Sequence, residues 1–238
     1  MLSPLISGIS IGVAAAAAFA YASRWPASQI FGRTLIAPAR PGELALTFDD
    51  GPNPAWTPQL LDTLARHDVK ATFFLLGQFA ERDPALTRSI VDAGHLIGNH
   101  SWSHPDLSLT SPHRVQQELT RTKDTLEQIT GKPIRYFRPP FGARRPYVLR
   151  AARALGMTPV MWNAMTNDWA ERSPVRIADR LAKKIDLLHQ SGVAANIVLH
   201  DGGHLGLNDD RGPSVGAAAR LLARYIATHK FVTVEAWT

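Results

Sequence analysis

Beyond Gly42 the sequence keeps changing period. Short apolar runs of strand length give way to segments whose apolar residues recur every three or four positions, and then the runs return. The runs are Leu44–Phe48 (LALTF), Ala71–Leu76 (ATFFLL), His95–Gly98, Arg135–Phe137, Thr158–Trp162 (TPVMW), Ile197–Leu199 and Phe231–Val234. Between them, Leu60, Leu61 and Leu64 share a helical face, as do Val115, Leu119, Leu126 and Ile129. The same holds for Ile177, Leu181, Ile185 and Leu188, and for Val215, Leu222 and Ile226. Thr57-Pro58, Ser111-Pro112 and Ser173-Pro174 each set a hydroxyl before a proline at a first helical position, where the missing N–H costs nothing. Gly131 and Pro133 stop the helix that begins near Ser111. Strands separated by amphipathic helices imply a parallel sheet with right-handed crossovers. About seven of them point to an α/β fold of the (β/α)7 barrel type, closed or nearly so.

The 238 residues, 45% of them hydrophobic, suffice for one domain with a sizeable core, expected over residues 43–238. There is no cysteine, so a bound metal must be held by His and carboxylates. Lys and Arg exceed Asp and Glu by 26 to 20, a formal charge of +6. The basic residues are spread over helix faces rather than gathered in a stripe, which argues against a nucleic-acid partner.

The amino end differs from the rest. Leu5 to Ala22 is uncharged and close to the length of about 20 residues that spans a bilayer. Residues 1–23 therefore read as an apolar helix that is either a membrane anchor or a signal segment. Ala20-Tyr21-Ala22 fits a signal-peptidase site, yet no Lys or Arg precedes the run. Arg24, Arg33 and Arg40 follow it, and by the positive-inside rule would keep the domain on the cytoplasmic side of an anchor. An inner or cytoplasmic membrane location is the first expectation, and a secreted or periplasmic one after cleavage is the alternative. Residues 24–42, with Pro26, Pro38 and Pro41, read as a linker.

In a parallel barrel the loops after the strands form one rim, where chemistry is built. Polar groups gather at those strand ends. Asp49 and Asp50 follow the first run, and His100 and His104 follow the third. Arg138-Pro139-Pro140-Phe141-Gly142 follows the fourth, Trp162 ends the fifth with Asp168-Trp169 beyond it, and His200-Asp201 closes the sixth. Each piece alone has a plain structural reading as a turn, a solvated loop or a core histidine. Together, His100, His104 and one carboxylate make a two-His, one-carboxylate set suited to a divalent first-row metal. Asp49 and Asp50, as neighbours on a strand, are expected to point in alternate directions, one toward the metal and one acting as a base.

With these residues in hand, the sequence resembles the NodB-homology polysaccharide deacetylases, carbohydrate esterase family 4, over Leu44 to Trp237. The motifs fall in order: TFDDGP at Thr47–Pro52, HSWSH at His100–His104, RPPFG at Arg138–Gly142, Asp168-Trp169, and His200-Asp201. The resemblance implies a distorted (β/α)7-type barrel and one divalent ion, Zn²⁺ first, with Co²⁺, Ni²⁺ or Mn²⁺ as alternatives. It makes Asp50, His100 and His104 the metal ligands, Asp49 the base and His200 the acid that protonates the departing amine. It further implies that Arg138 pairs with Asp49, that Asp168 orients Arg138, and that the backbone N–H of Phe141 receives the oxyanion. Trp169 and Trp162 would line the sugar site. The implied reaction is metal-dependent removal of an N-acetyl group from an amino sugar in chitin-like polymer or peptidoglycan. A lipid-linked amino sugar at the inner membrane is the alternative substrate, with formyl as an alternative acyl group.

Two positions depart from the family pattern. Met165 stands where an acid often precedes the Asp-Trp motif, and Val198 replaces a usual leucine. Met165 alone favours the reading from a different class, a catalytically silent carbohydrate-binding protein.

Overall fold

The computed structural model describes residues 16–207 and 209–238. Its strands are β1 (Glu43–Gly51), β2 (Thr72–Leu75), β3 (Leu96–Asn99), β4 (Tyr136–Phe137), β5 (Thr158–Pro159), β6 (Ala164–Met165), β7 (Ala195–His200) and β8 (Lys230–Phe231). They pair in parallel in the order β5-β4-β3-β2-β1-β7-β6, with β8 added beside β1. The helices are α1 (residues 16–24), α2 (Thr57–Arg66), α3 (Gly77–Arg82), α4 (Pro84–Asp92), α5 (Pro112–Thr130), α6 (Pro146–Ala154), α7 (Pro174–Gln190) and α8 (Gly212–Tyr225). The result is a curled parallel sheet wrapped by helices, the distorted (β/α)7-type barrel.

Period two on β1 decides what each face carries. Leu44, Leu46 and Phe48 join Phe73, Leu75, Ile97, Ile197 and Leu199 in the layer under the helices. There they meet Leu60 and Leu64 of α2, Leu119 and Leu126 of α5, Leu181 and Ile185 of α7 and Leu222 of α8. Burying one such Leu or Phe fully stabilises the fold by about 1.5–3 kcal/mol. The alternate residues Ala45, Thr47 and Asp49 face inward. Ala45 packs with Phe74, Tyr136, Val160, Val234 and Trp237 at the barrel floor, and above it the interior turns polar.

Ser111 and Ser173 cap α5 and α7, each hydroxyl accepting the N–H three residues on. Thr57 is not a cap. It is the first residue of α2, and its hydroxyl accepts from the Asn53 N–H at 2.8 Å and donates to the buried carboxylate of Asp201. β1 extends beyond LALTF to Gly51, so both aspartates lie on the strand itself. Helices α3, α4 and α6 and the two-residue strand β6 add elements that the apolar periodicity did not reveal.

The sheet does not pair β5 with β6, and residues from the proposed linker lie at that seam. Leu35 bridges Val160 in parallel, donating to the Pro159 carbonyl at 2.8 Å and accepting from the Met161 N–H at 2.7 Å. The Ile36 carbonyl accepts from Asn196 Nδ2 at 2.9 Å, and that of Pro38 from the Ala194 N–H at 2.9 Å. Most of the apolar run Leu5–Ala22 lies outside the described residues. Among the described residues, no helix is long and apolar enough to cross a membrane.

Candidate active site

The rim at the carboxyl ends of β1, β3, β4 and β7 encloses a cleft of 510 Å³. Asp49, Asp50, His100, His104 and His200 open into it, with Phe141, Trp162, Met165 and Trp169 as apolar walls. Strict alternation on β1 would send Asp50 to the helix side. Instead the register slips between Asp49 and Gly51, and Asp50 adopts φ 70°, a bulge that swings its carboxylate to the same side as that of Asp49. The expectation of opposed directions is therefore corrected: His100 Nε2 is 3.5 Å from Asp50 Oδ1 and 3.8 Å from Asp49 Oδ2. The bulge is held from across the rim by Gly202, where a Cβ would come within 2.0 Å of the Asp50 carbonyl oxygen.

Asp50, His100 and His104 bring their donor atoms within 4.8 Å of one another, all buried. His104 Nε2 lies 3.2 Å from Asp50 Oδ1, an oxygen with no hydrogen-bond partner. His100 Nδ1 donates to the Arg138 carbonyl at 2.8 Å, which leaves its Nε2 lone pair directed at the carboxylate. Burial pushes the His104 imidazole down to about 3, although the charge of Asp50 opposes it. Burial pulls Asp50 upward, but His104, His204 and His100 together outweigh it and hold the carboxyl below the usual range. Asp50 Oδ1, buried and without a hydrogen-bond partner, faces the Nε2 atoms of two imidazoles, an arrangement that a bound cation would satisfy. The donor set fits a divalent first-row ion, and zinc among them.

Two charged networks flank the donors. Arg138, 0% exposed, donates through Nη1 to Asp49 Oδ1 at 2.8 Å and to Thr47 Oγ1 at 2.6 Å, with Nη2 toward Asn196 Oδ1 at 3.4 Å. Its guanidinium carbon stands 4.1 Å from the Phe74 ring centroid and 5.7 Å from that of Trp162. Asp168 does not orient Arg138, which corrects that expectation. It holds His200 instead, accepting from Nδ1 and from the backbone N–H at 2.9 Å each, and from Ser214 Oγ at 2.7 Å. Burial disfavours the His200 imidazolium, but Asp168, by charge and hydrogen bond, overrides it and raises the pKa to about 9. Chain spacing could not show this, because the partners meet only when β7 folds beside the loop after β6.

Of the apolar residues, Phe141 sits at φ 55° in a 3₁₀ turn (Pro140–Gly142) and is 47% exposed, and Trp169 is 48% exposed. Trp162 is buried with Met161 and Val198, with Met165 packed alongside, so it forms cleft floor more than open wall. Two residues at the site, His204 and Glu118, escaped sequence reasoning, and Asp201 was read there only as the neighbour of His200. His204 stacks on His104 with ring centroids 4.4 Å apart and puts Nδ1 3.7 Å from Asp50 Oδ2. Glu118 of α5, buried, accepts from the N–H groups of Trp102 and Ser103 at 2.8 Å each and from Ser103 Oγ at 2.9 Å. Asp201, buried beneath the bulge, is pushed up to about 7 by burial. His204 stands four residues after His200 in a glycine-containing loop, a signal as weak as that of any loop histidine.

The polysaccharide deacetylase family model matches residues 37–160, and the chain belongs to that family. It is 38% identical over 170 residues to a peptidoglycan-N-acetylglucosamine deacetylase of Bacillus cereus, covering 71% of this chain and 60% of that protein. Among solved structures, the Bc1960 peptidoglycan N-acetylglucosamine deacetylase, bound to a hydroxamate, superposes with a TM-score of 0.75 at 32% identity over 85% of this chain and 91% of that one. BA3943, a pseudoenzyme of carbohydrate esterase family 4 from Bacillus anthracis, gives 0.76 at 25% identity over 86% and 68%. The fold therefore carries both active and silent members, and the site must decide between them.

Proposed function

We propose that the protein is a metal-dependent hydrolase that removes the N-acetyl group from an N-acetylated amino sugar in a polysaccharide, peptidoglycan or chitin-like. The observation that carries this is one cleft into which a carboxylate and two imidazoles, a second carboxylate and an acid-poised imidazole all open. A silent binding protein has no use for that set.

Asp50, His100 and His104 would hold the ion, zinc first. When bound, the ion supplies polarisation of the acyl carbonyl and a water acidic enough to lose its proton near neutrality. Asp49 takes that proton, and Arg138 keeps the carboxylate oriented through the 2.8 Å bond. The turn at Pro140–Gly142 spends the N–H groups of Gly142 and Ala143 on its own carbonyls, and the N–H of Phe141 is assigned to the developing oxyanion. Because that donor is main chain, the Phe side chain is free to form cleft wall. His200 protonates the departing amine, and Asp168 stabilises its charged form beforehand. The products are a free amino sugar and acetate.

A second reading concerns the substrate's anchor. Phe19, Tyr21 and Trp25 around α1 are each more than 40% exposed, as are Phe141 and Trp169 at the rim. Aromatic residues of this kind favour a membrane-water interface. They support membrane attachment through the N-terminal segment, and with it a lipid-linked amino sugar as the competing substrate. The deciding experiment gives metal-loaded protein N-acetylglucosamine oligomers, peptidoglycan and a lipid-linked N-acetylated amino sugar, and measures acetate and formate. Release from a polymer is the expected result. Release confined to the lipid-linked sugar would transfer the assignment to the second reading, and release from none would leave a binding protein.

A further inference from the structure

A second buried arginine stands at the rim, and none of the chemistry above uses it. Arg144 is 0% exposed, and among the described residues it makes no ion pair with a carboxylate. Its guanidinium donates only to main-chain carbonyls: Trp25 at 2.7 Å, Ser28 at 2.8 Å, Gly142 at 2.9 Å and Ser23 at 3.5 Å. Its own backbone N–H donates to the Ser23 carbonyl at 2.9 Å. Burying a charge with no counter-charge is costly, so a fold that keeps one depends on what the group joins.

On one side Arg144 holds the end of the turn that carries Phe141. On the other it gathers the Ser23 carbonyl in the last turn of α1, an end that favours a cation, and the Trp25 and Ser28 carbonyls of the chain that follows. The same stretch touches the rim twice more. The Arg24 carbonyl lies 3.4 Å from where a Cβ on Gly142 would stand, and the Arg24 side chain pairs with Asp106, two residues past His104. Ala22 and Ser23 are buried. Phe141 occupies the left-handed region, which a bulky non-glycine residue keeps only when its surroundings fix it.

We infer that Arg144 is a positioning residue for the reaction and that residues 22–28 are part of the active-site rim, clamped to the Pro140–Gly142 turn so that the Phe141 N–H keeps its place. This rests on the reading of that N–H as the oxyanion donor. A small displacement of such a donor costs rate and leaves substrate and metal affinity intact.

The test uses the full, metal-loaded chain. Arg144→Lys keeps the charge and loses the planar fork, and Arg144→Gln keeps neither. Each is expected to lower kcat by about 10- to 100-fold, with KM within twofold and metal affinity by chelator competition unchanged. Native-state hydrogen exchange on the unsubstituted protein is the second measurement and needs no variant to fold. The amides of residues 20–32 and 139–145 are expected to lose protection together as denaturant rises, before those of β1. Folded Arg144 variants with kcat within twofold of the parent, or separate opening of the two segments, would overturn the inference. If the parent releases no acetate, the proposed function fails, while joint exchange still reports the clamp.

Discussion

Asp49 and Asp50 are adjacent, face one cleft and have different neighbours, so their substitutions should separate. Asp49 is tied to a buried guanidinium, whereas Asp50 ends in an oxygen that faces two imidazoles. Asp50→Ala or His104→Ala is expected to abolish stoichiometric metal uptake along with turnover, measured by elemental analysis after dialysis. The pH profile should report His200. Its folded pKa, raised to about 9 by Asp168 against burial, makes the protonated form dominant at neutrality and lost as pH climbs through that value. In Asp168→Asn the charge that raises the pKa is gone and burial remains, so the alkaline limb of kcat is expected to move to lower pH. An unmoved limb would remove His200 as the acid. Sequence reasoning could list Asp49, Asp50, His100, His104, Arg138 and His200 because each stands at a strand end. It assigned Asp168 to the wrong partner, and it could not foresee the bulge at Asp50, against which Gly202 packs from the loop after β7.

At the level of elements, the loop after β3 is held from α5. His100 to His104 contains two non-glycine residues with positive φ, Ser101 at 70° and His104 at 59°. Glu118 fixes that conformation by taking two backbone N–H groups and a hydroxyl, and Arg114 pairs with it from one turn earlier. Glu118→Ala leaves these donors unpaired. It is expected to destabilise the protein by about 3 kcal/mol, read as a drop in Tm of roughly 6–12 °C, and to weaken metal binding. Glu118→Gln retains an acceptor and should recover much of both. The long amphipathic helices α5 and α7 were legible because a Ser-Pro cap and an apolar stripe agree. The short helices α3, α4 and α6 carry too few turns for a period to stand out, and β6 is two residues long. Thr57 resembled a cap by its neighbour Pro58, but tertiary contact with Asp201 took its hydroxyl into the core.

For the whole molecule, the barrel is finished by residues that look like a tether. Leu35 and Ile36 occupy the seam beside β5 and β7, and Arg144 binds the chain from Ser23 to Ser28. Ser23 is buried and its carbonyl accepts from the Arg144 backbone N–H, so the chain is built into the barrel from that residue onward. The proline-rich composition of residues 24–42 suggested a linker because proline marks extended chain, and extended chain serves equally well as a strap along a barrel.

The central claim is that this cleft hydrolyses an N-acetyl group with Asp49 as its base. The most direct test measures acetate release from N-acetylglucosamine oligomers and peptidoglycan by the metal-loaded protein beside its Asp49→Asn variant, with metal content determined for both. The parent is expected to release acetate and free amine in equal amounts, and the variant to keep its metal and lose about 10³-fold or more in kcat. A metal-loaded parent that releases nothing, or an Asp49→Asn variant that turns over near the parental rate, would contradict it.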